Sequence, residues 1–340
     1  MKLDDGCYVI AEIGVNHNGS ADLARDLIDV AADAGADAVK FQMFSADTLV
    51  TKRASKATYQ SRNTGDDGSQ HAMLARLELA ESDFRDLMSY CADCGIDFLV
   101  TPFGIDAADS LEALGVQAFK VSSGDLTYHQ FLAHLARKGL PIILSTGMAT
   151  LAEVDEALGV IDAAGPAPVS LLHCVSDYPA DPAVCNLSAM DTMASAFGRP
   201  VGWSDHTLGT AVGFAAATLG AQIIEKHITL DVTMEGPDHK ASMEPEEFRA
   251  YVAGIRAIGL ALGDGRKQPQ DVERRTAEVA RRSIVVVRDL DRGATIMRDD
   301  VDILRPGTGL PPSMLDVVVG CRVGRDVRAD TPLVLEDLHG

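Results

Sequence analysis

The feature that most restricts the fold is a rhythm. From Tyr8 to about Gly263, short apolar runs alternate with stretches of helical periodicity. The runs are Tyr8–Gly14, Ala38–Phe44, Asp97–Phe103, Ala118–Ser123, Pro141–Thr146, Val169–Ser176, Val201–Ser204 and Gln222–Ile228. Among the helical stretches, Ser20–Ala34 sets Leu23, Leu27, Ile28 and Ala31 on one face, and Ser20 can cap its start. Ser82–Cys94, Leu151–Ala163 and Pro245–Leu262 follow the same pattern, the last opening on acids at its positive end. Parallel strands need crossovers of this kind, which bring all their C-terminal ends to one side. Eight such units in about 250 residues predict an α/β fold, a (β/α)8 TIM barrel over residues 1–264. An open doubly wound sheet is the alternative, but no Gly-x-Gly-x-x-Gly follows the first run.

Two departures from the rhythm matter. The polar excursion Ser45–Gln70 is long for a connection in a compact domain and is expected to be functional. After Gly263 the turn-rich Asp-Gly-Arg-Lys-Gln-Pro-Gln opens a linker, taken as 265–280. From 281 to 340 the texture becomes β-rich, with short pieces at Ser283–Val287 and Val317–Val319 between Gly and Pro turns. A domain of about 60 residues has a marginal core, so it is expected to pack on the barrel or on a second subunit.

Charge and composition exclude several roles. A net charge of −20 argues against nucleic-acid binding. Thr207–Ile224 lacks charge and approaches membrane-spanning length, but its Gly209, Gly213, Gly220 and Gln222 mark a buried helix running into a strand. No charged and then apolar leader opens the chain at Met1–Gly6, so a cytoplasmic location is expected. The six cysteines lack framework spacing, and Cys91 and Cys94 fall in a helical pattern that suits packed thiols.

In a barrel of this kind the working face lies at the C-terminal ends of the strands. Those ends carry Glu12, Asn16 and His17; Lys40 and Gln42; Thr101; Lys120, Ser122, Ser123 and Asp125; and Ser145 and Thr146. The later ends carry His173, Ser176, Asp177 and Tyr178; Asp205 and His206; and Glu225, Lys226 and His227. His206 and His227, on consecutive strands, become neighbours and form a candidate site for a divalent transition metal; the alternative is two core histidines. Buried Lys40 and Lys120 need compensation, either from an anionic ligand aided by Thr101, Ser123 and Ser145 or from Glu12 or Asp125. Glu12 and Glu225 are candidate acids or bases, or orient a lysine or histidine. Asp205 is a candidate partner of a metal-bound histidine or a cap for the next turn. His17 is a candidate substrate contact or a turn residue. Lys226 alternates with Glu225 and His227 and should point away, into a structural ion pair.

These motifs together resemble one family. Ala11-Glu-Ile-Gly-Val-Asn-His-Asn-Gly, Val39-Lys-Phe-Gln, Val100-Thr-Pro-Phe and Phe119-Lys-Val-Ser-Ser-Gly are similar to the sialic acid synthase family. So are Ile143-Leu-Ser-Thr-Gly-Met, Leu172-His-Cys, Trp203-Ser-Asp-His-Thr, Glu225-Lys-His and Gly236-Pro-Asp-His. Ser283–Leu338, with Arg305-Pro-Gly-Thr-Gly, resembles that family's C-terminal antifreeze-like (SAF) domain. The resemblance implies a transferase that condenses phosphoenolpyruvate with an N-acyl hexosamine to a nonulosonic acid and phosphate. It implies a divalent metal, manganese first and magnesium or cobalt next, on His206 and His227. Lys40, Lys120, Thr101, Ser123 and Ser145 would hold phosphoenolpyruvate, with Glu12 beside the sugar aldehyde and Tyr178 and Asp238 near the sugar. It further implies a domain-swapped homodimer in which Arg305 reaches the partner's site. Ser176 stands where some members have Asn, and Asp125 where some have Glu, which bears on the choice of sugar. The excursion resembles neuraminate or legionaminate synthases more than pseudaminate synthases. Two other classes compete: a carbohydrate-binding or assembly module, and a lyase using Lys120 as a Schiff-base lysine.

Overall fold

The computed structural model describes residues 6–65 and 68–339. Residues 1–5, on which the expected lack of a leader rests, lie outside the described part. The chain forms two compact units, Met1–Gly263 and Asp264–Gly340.

The first unit is built on eight parallel strands: β1 (Tyr8–Gly14), β2 (Ala38–Met43), β3 (Asp97–Pro102), β4 (Phe119–Val121), β5 (Ile142–Ser145), β6 (Val169–Cys174), β7 (Val201–Asp205) and β8 (Ile223–His227). Their order is β3-β2-β1-β8-β7-β6-β5-β4. β3 and β4 touch and complete the ring without a hydrogen-bond ladder between them, so the barrel is nearly closed. The intervening helices are α1 (Ala21–Asp33), α2 (Ala46–Leu49), α3 (Thr58–Thr64), α4 (Gln70–Ala75), α5 (Glu81–Cys94), α6 (Ile105–Leu114), α7 (His129–Arg137), α8 (Leu151–Ala164), α9 (Ala189–Phe197), α10 (Ala211–Thr218) and α11 (Pro245–Leu262). The predicted TIM barrel is present.

Strand parity sorts its contents. Tyr8, Ile10, Ala38, Leu99, Ala118, Ile143, Leu172 and Ile223 form one buried cluster inside the ring. The alternate positions Val9, Ala11, Val39, Phe41 and Val100 join Leu27, Ile28, Phe84 and Leu87 in the larger core beneath the helices. Both faces of each strand are covered, which is why these segments read as nearly continuous apolar runs. Local signals agree. Ser20 Oγ accepts from Leu23 N at the start of α1, and Thr150 and Glu153 form a reciprocal capping box on α8.

The small-residue segment after β7 packs as expected. A Cβ on Gly213 would strike Tyr251, and one on Gly254 would strike Phe214, so α10 and α11 approach closely. Tyr251 is thereby set against β7, where its hydroxyl donates to Asp205 Oδ2 at 2.9 Å. Among the described residues no helix is long and apolar enough to cross a membrane. All six cysteines are free, and Cys91 and Cys94 lie in α5.

The stretch expected as a linker carries a helix, α12 (Asp271–Ala280), which belongs to the second unit. Glu273 accepts from Gln270 N at 2.8 Å and starts the helix on the same capping logic. In this unit β10 (Val301–Leu304) and β12 (Thr331–Pro332) flank β9 (Ser283–Val286), and β11 (Arg322–Val323) pairs with β13 (Leu338–His339). Val317–Val319, expected as β, contributes instead to a one-turn helix, Leu315–Val318, that buries Val318 in the small core. Burial outweighs β propensity there.

The second unit is also an internal duplication that sequence patterning did not reveal. Arg288 donates to buried Asp300 at 2.6 Å, and Arg325 donates to buried Asp337 at 2.5 Å. Those aspartates cap Met297 N and Val334 N, each at 2.9 Å. Leu290 and Val327, equivalent positions in the two halves, exchange backbone bonds with each other at 2.8 Å. A pseudo-twofold axis passes between them.

Candidate active site

Two residues above the apolar layer on the same inward faces, the barrel interior changes character. Glu12, Lys40, Thr101, Lys120, Ser145, Ser204 and Glu225 replace Ile10, Ala38, Leu99, Ala118, Ile143, Gly202 and Ile223 as the strands run upward, and His227 lies one further step up β8. The ring β2-β1-β8-β7 sets Glu12 opposite Lys40 on one side and His227 on the other.

The charges form one network. Lys40 Nζ lies 2.8 Å from Glu12 Oε2 and 3.8 Å from Glu225 Oε2. Lys120 Nζ lies 3.9 Å from the same Glu225 oxygen. Lys40 donates to Thr101 Oγ1 at 3.2 Å, and Lys120 donates to Ser145 Oγ at 2.6 Å. Gln42 Nε2 donates to Glu12 Oε1 at 3.0 Å. Burial works against the Glu225 carboxylate, but Lys120 and Lys40 outweigh it and hold its pKa near 2. Burial wins at Glu12, with Glu225 adding to it against the pull of Lys40, and raises it to about 7. Burial also lowers Lys120 below the usual lysine range despite Glu225, whereas at Lys40 the two glutamates overcome burial and raise it. Glu12 is therefore the carboxylate that can hold a proton near neutrality.

The histidines lie on the same face. Their ring centroids are 5.6 Å apart, edge to face. Burial lowers His206 to about 4 and drives His227 well below the ordinary range, so both are neutral imidazoles. His206 Nδ1–H donates to Val175 O at 2.6 Å, which leaves Nε2 with the free lone pair of the neutral ring. Ser204 Oγ is 3.3 Å from that nitrogen but gives its proton to Glu225 Oε1 at 2.7 Å. His227 Nδ1 is buried without a partner among the described residues. Two neutral imidazoles, each with one nitrogen able to offer a lone pair, suit a divalent metal. Among the described residues no group of three or more His, Cys, Asp or Glu side chains is arranged to hold one.

These groups border a cavity of about 430 Å³. Of the residues expected to work here, Glu12, Lys40, Thr101, Lys120, Ser123, Ser145, Ser176, Tyr178, His206, Glu225, His227 and Asp238 all line it. Tyr178 packs against His206 and Tyr59 in tilted pairs, with ring centroids 4.0 and 4.8 Å apart. Burial raises Asp238 to about 6, with Lys40 pulling the other way.

One expected residue lies elsewhere. Asp125, on the turn after β4, lines a neighbouring groove with Phe103, Glu78 and Tyr128. Its Oδ2 is buried without a partner among the described residues, and burial raises the carboxyl's pKa to about 6. Arg305 follows β10 in the second unit and is exposed. Asp205 also points outward. It accepts from Thr207 N at 3.0 Å and lies 3.3 Å from Lys226 Nζ, so it caps the turn and forms the ion pair expected of Lys226. His17 is a turn residue whose Nδ1 accepts from Gly19 N at 3.0 Å. Asn16 braces Ile228 O and Ser242, and His173 packs on Trp203 with Nε2 2.8 Å from Cys185 O.

Other contributors had not been singled out. Ser204 ties Glu225 to the histidine side, and its position two before His206 on one strand face was the available signal. Gly147 N donates to Ser123 Oγ at 3.0 Å, and a Cβ there would strike Ser176, Cys174 and Ser123. Within the excursion, α2, α3 and the first residue of α4 bring Leu49, Tyr59, Gln60 and Gln70 to the cavity lining. Asn63 Nδ2 donates to Pro237 O at 2.7 Å, and Arg62 to Tyr178 O at 2.9 Å.

A nearly closed parallel barrel with paired lysines, paired carboxylates and two neutral histidines at its strand ends defines a TIM-barrel enzyme of small polar substrates. The chain belongs to the NeuB family, which matches residues 27–267, and its residues 281–339 match the SAF domain. It is 46% identical over 337 residues to an N,N'-diacetyllegionaminic acid synthase from Legionella pneumophila, covering 98% of this chain and 95% of the relative. A synthase of the same name from Campylobacter jejuni is 41% identical, covering 95% and 97%. The solved structure of an N-acetylneuraminic acid (sialic acid) synthetase from Leptospira borgpetersenii has a TM-score of 0.70 at 34% identity, covering 80% of this chain and 90% of that one.

Proposed function

We propose that this enzyme is a transferase that condenses phosphoenolpyruvate with an open-chain N-acyl hexosamine, yielding a nonulosonic acid and phosphate. The observation that carries the reading is the divided site: two buried lysines sharing Glu225 on one side, two neutral histidines on the other. Lys40 and Lys120 bind the phosphate and carboxylate of phosphoenolpyruvate, aided by Thr101, Ser123 and Ser145. The sugar aldehyde lies toward His206, His227 and Tyr178, with Asp238 along its chain. A divalent metal, manganese first and magnesium or cobalt next, would be held by His206 and His227 and, when bound, supplies Lewis acidity to the aldehyde.

Carbon 3 of phosphoenolpyruvate attacks the aldehyde carbon, leaving carbon 2 electron-poor. Water adds there, and the tetrahedral intermediate breaks its C–O bond to phosphate as the 2-keto group forms. The two water protons end on the new hydroxyl and on phosphate. Glu12, poised near 7, is the side chain that relays one of them. Glu225 stays ionised between the lysines and steadies the electron-poor carbon. A domain-swapped homodimer would bring Arg305 of the partner subunit over the sugar and exclude water. Phosphoenolpyruvate is an intracellular metabolite, so this reading places the enzyme in the cytoplasm.

Mixing the protein and Mn²⁺ with phosphoenolpyruvate and either N-acetylmannosamine or 2,4-diacetamido-2,4,6-trideoxymannose should release phosphate together with a 2-keto acid. No phosphate from either sugar overturns the reading. EDTA should abolish turnover and Mn²⁺ restore it; full activity in metal-free protein removes the role given to the histidines.

A further inference from the structure

Cys174 stands in the cavity wall among charged and hydroxylated neighbours. It ends β6 two residues beyond Leu172, on the same inward parity. Among the described residues it is the one cysteine that lines the cavity, and it is a free thiol. The residue is only 5% exposed, and its Sγ lies 3.3 Å from Ser123 Oγ. Gly147 leaves room for that contact, since a Cβ there would come to 2.9 Å from both atoms.

The direction of the contact follows from the protons available. A hydroxyl has one proton to give and two lone pairs that can accept. Ser123 Oγ already accepts from Gly147 N at 3.0 Å, so one lone pair is taken. If the Ser123 proton points at sulfur, a weak acceptor, none is left for a ligand. If the thiol donates instead, the second lone pair is filled and the proton is free for the cavity. An anion held there by Lys120 and Lys40 draws that proton, because a hydrogen bond to a charged acceptor is roughly twice as strong as a neutral one. The thiol is then the donor. Burial raises the Cys174 pKa, with Ser123 and Lys120 pulling the other way, so the sulfur keeps its proton. Two donors on one hydroxyl oxygen also polarise its O–H and strengthen the bond it gives.

We propose that Cys174 is a positioning residue, which donates its S–H to Ser123 and so turns the Ser123 hydroxyl toward the bound anion. This rests on the synthase reading above, in which that anion is phosphoenolpyruvate. Losing one neutral hydrogen bond of this kind weakens binding by on the order of threefold to tenfold.

The test measures phosphoenolpyruvate binding by calorimetry with no sugar present, alongside steady-state kinetics. Cys174→Ala and Cys174→Ser leave side chains of similar size, the first without a donor and the second with one. Cys174→Ala should raise the phosphoenolpyruvate Kd and KM by that factor, with the sugar KM unchanged. Cys174→Ser should stay within about twofold of wild type, because its hydroxyl replaces the lost donor. In a Ser123→Ala background Cys174→Ala should add nothing, since the thiol acts through that hydroxyl. Equal affinity in wild type and Cys174→Ala overturns the proposal. So do equal losses in the Ala and Ser variants, or a Cys174→Ala loss that persists in full without Ser123. A wild type that binds no phosphoenolpyruvate is a different result, and it removes the synthase reading together with this role.

Discussion

The lower and upper halves of the barrel interior share the same strands and the same inward parity, yet their chemistry is opposite. The lower layer, with Tyr8, Ile10, Leu99, Ile143 and Ile223, is an apolar plug. The upper layer places Glu12, Lys40, Lys120, Glu225 and two histidines under equal burial. Backbone geometry is common to both, so side-chain chemistry alone separates a stabilising layer from a working one. The lower layer gains free energy from leaving water. The upper one gives some back, because each buried charge must be compensated by a neighbour.

The comparison is sharpened most by Lys120→Met. Burial depresses this lysine, but its charge helps hold buried Glu225 ionised, so its loss leaves that carboxylate undercompensated and should lower the thermal midpoint as well. On the synthase reading kcat/KM should fall by on the order of a thousandfold, since an anion-binding charge is lost. A large drop in stability with activity kept would invert the comparison. Ile10→Ala is the complementary change. It should cost about 2–5 kcal/mol in urea unfolding, while turnover per folded molecule stays within about twofold.

Asp125 probes a carboxyl beside the upper layer but outside its network. Its folded pKa, about 6, lies above the ordinary aspartate value, so the protonated form is favoured by folding. The stability this contributes is complete below about pH 4 and is lost as pH rises through about 6. Asp125→Asn should therefore unfold like wild type at pH 4 and be more stable by on the order of 2 kcal/mol at pH 8. Equal midpoints at both values would mean the carboxyl finds a partner on ionising. Ser204→Ala is the mildest change. Loss of its bond to Glu225 should lower kcat about tenfold with little effect on unfolding, a cost consistent with one hydrogen bond to a charged group.

Much of this was legible in order along the chain. The eight alternations predicted the barrel, and the polar residues at strand ends predicted most of the cavity lining. Parity also predicted that Lys226 points away from Glu225 and His227. The same rule applied one strand earlier would have sent Asp205 outward with Lys226, because neighbours on a strand face opposite sides. The duplication in the second unit was harder to see. Its halves share Arg288 and Arg325, and Asp300 and Asp337, but few other identities, and only the pairing of Leu290 with Val327 exposes the axis.

By itself the sequence determined which side chains enter the barrel and at what height, because a period of two residues is a local property of the strand. Ring closure decided who meets whom. Setting β8 beside β1 brings His227 level with Glu12, and curvature brings Glu225 within 4 Å of both Lys40 and Lys120. Tertiary structure likewise settled which carboxylate stays charged. Glu225 lies between two ammoniums and Glu12 beside one, a difference in surroundings that no local pattern encodes.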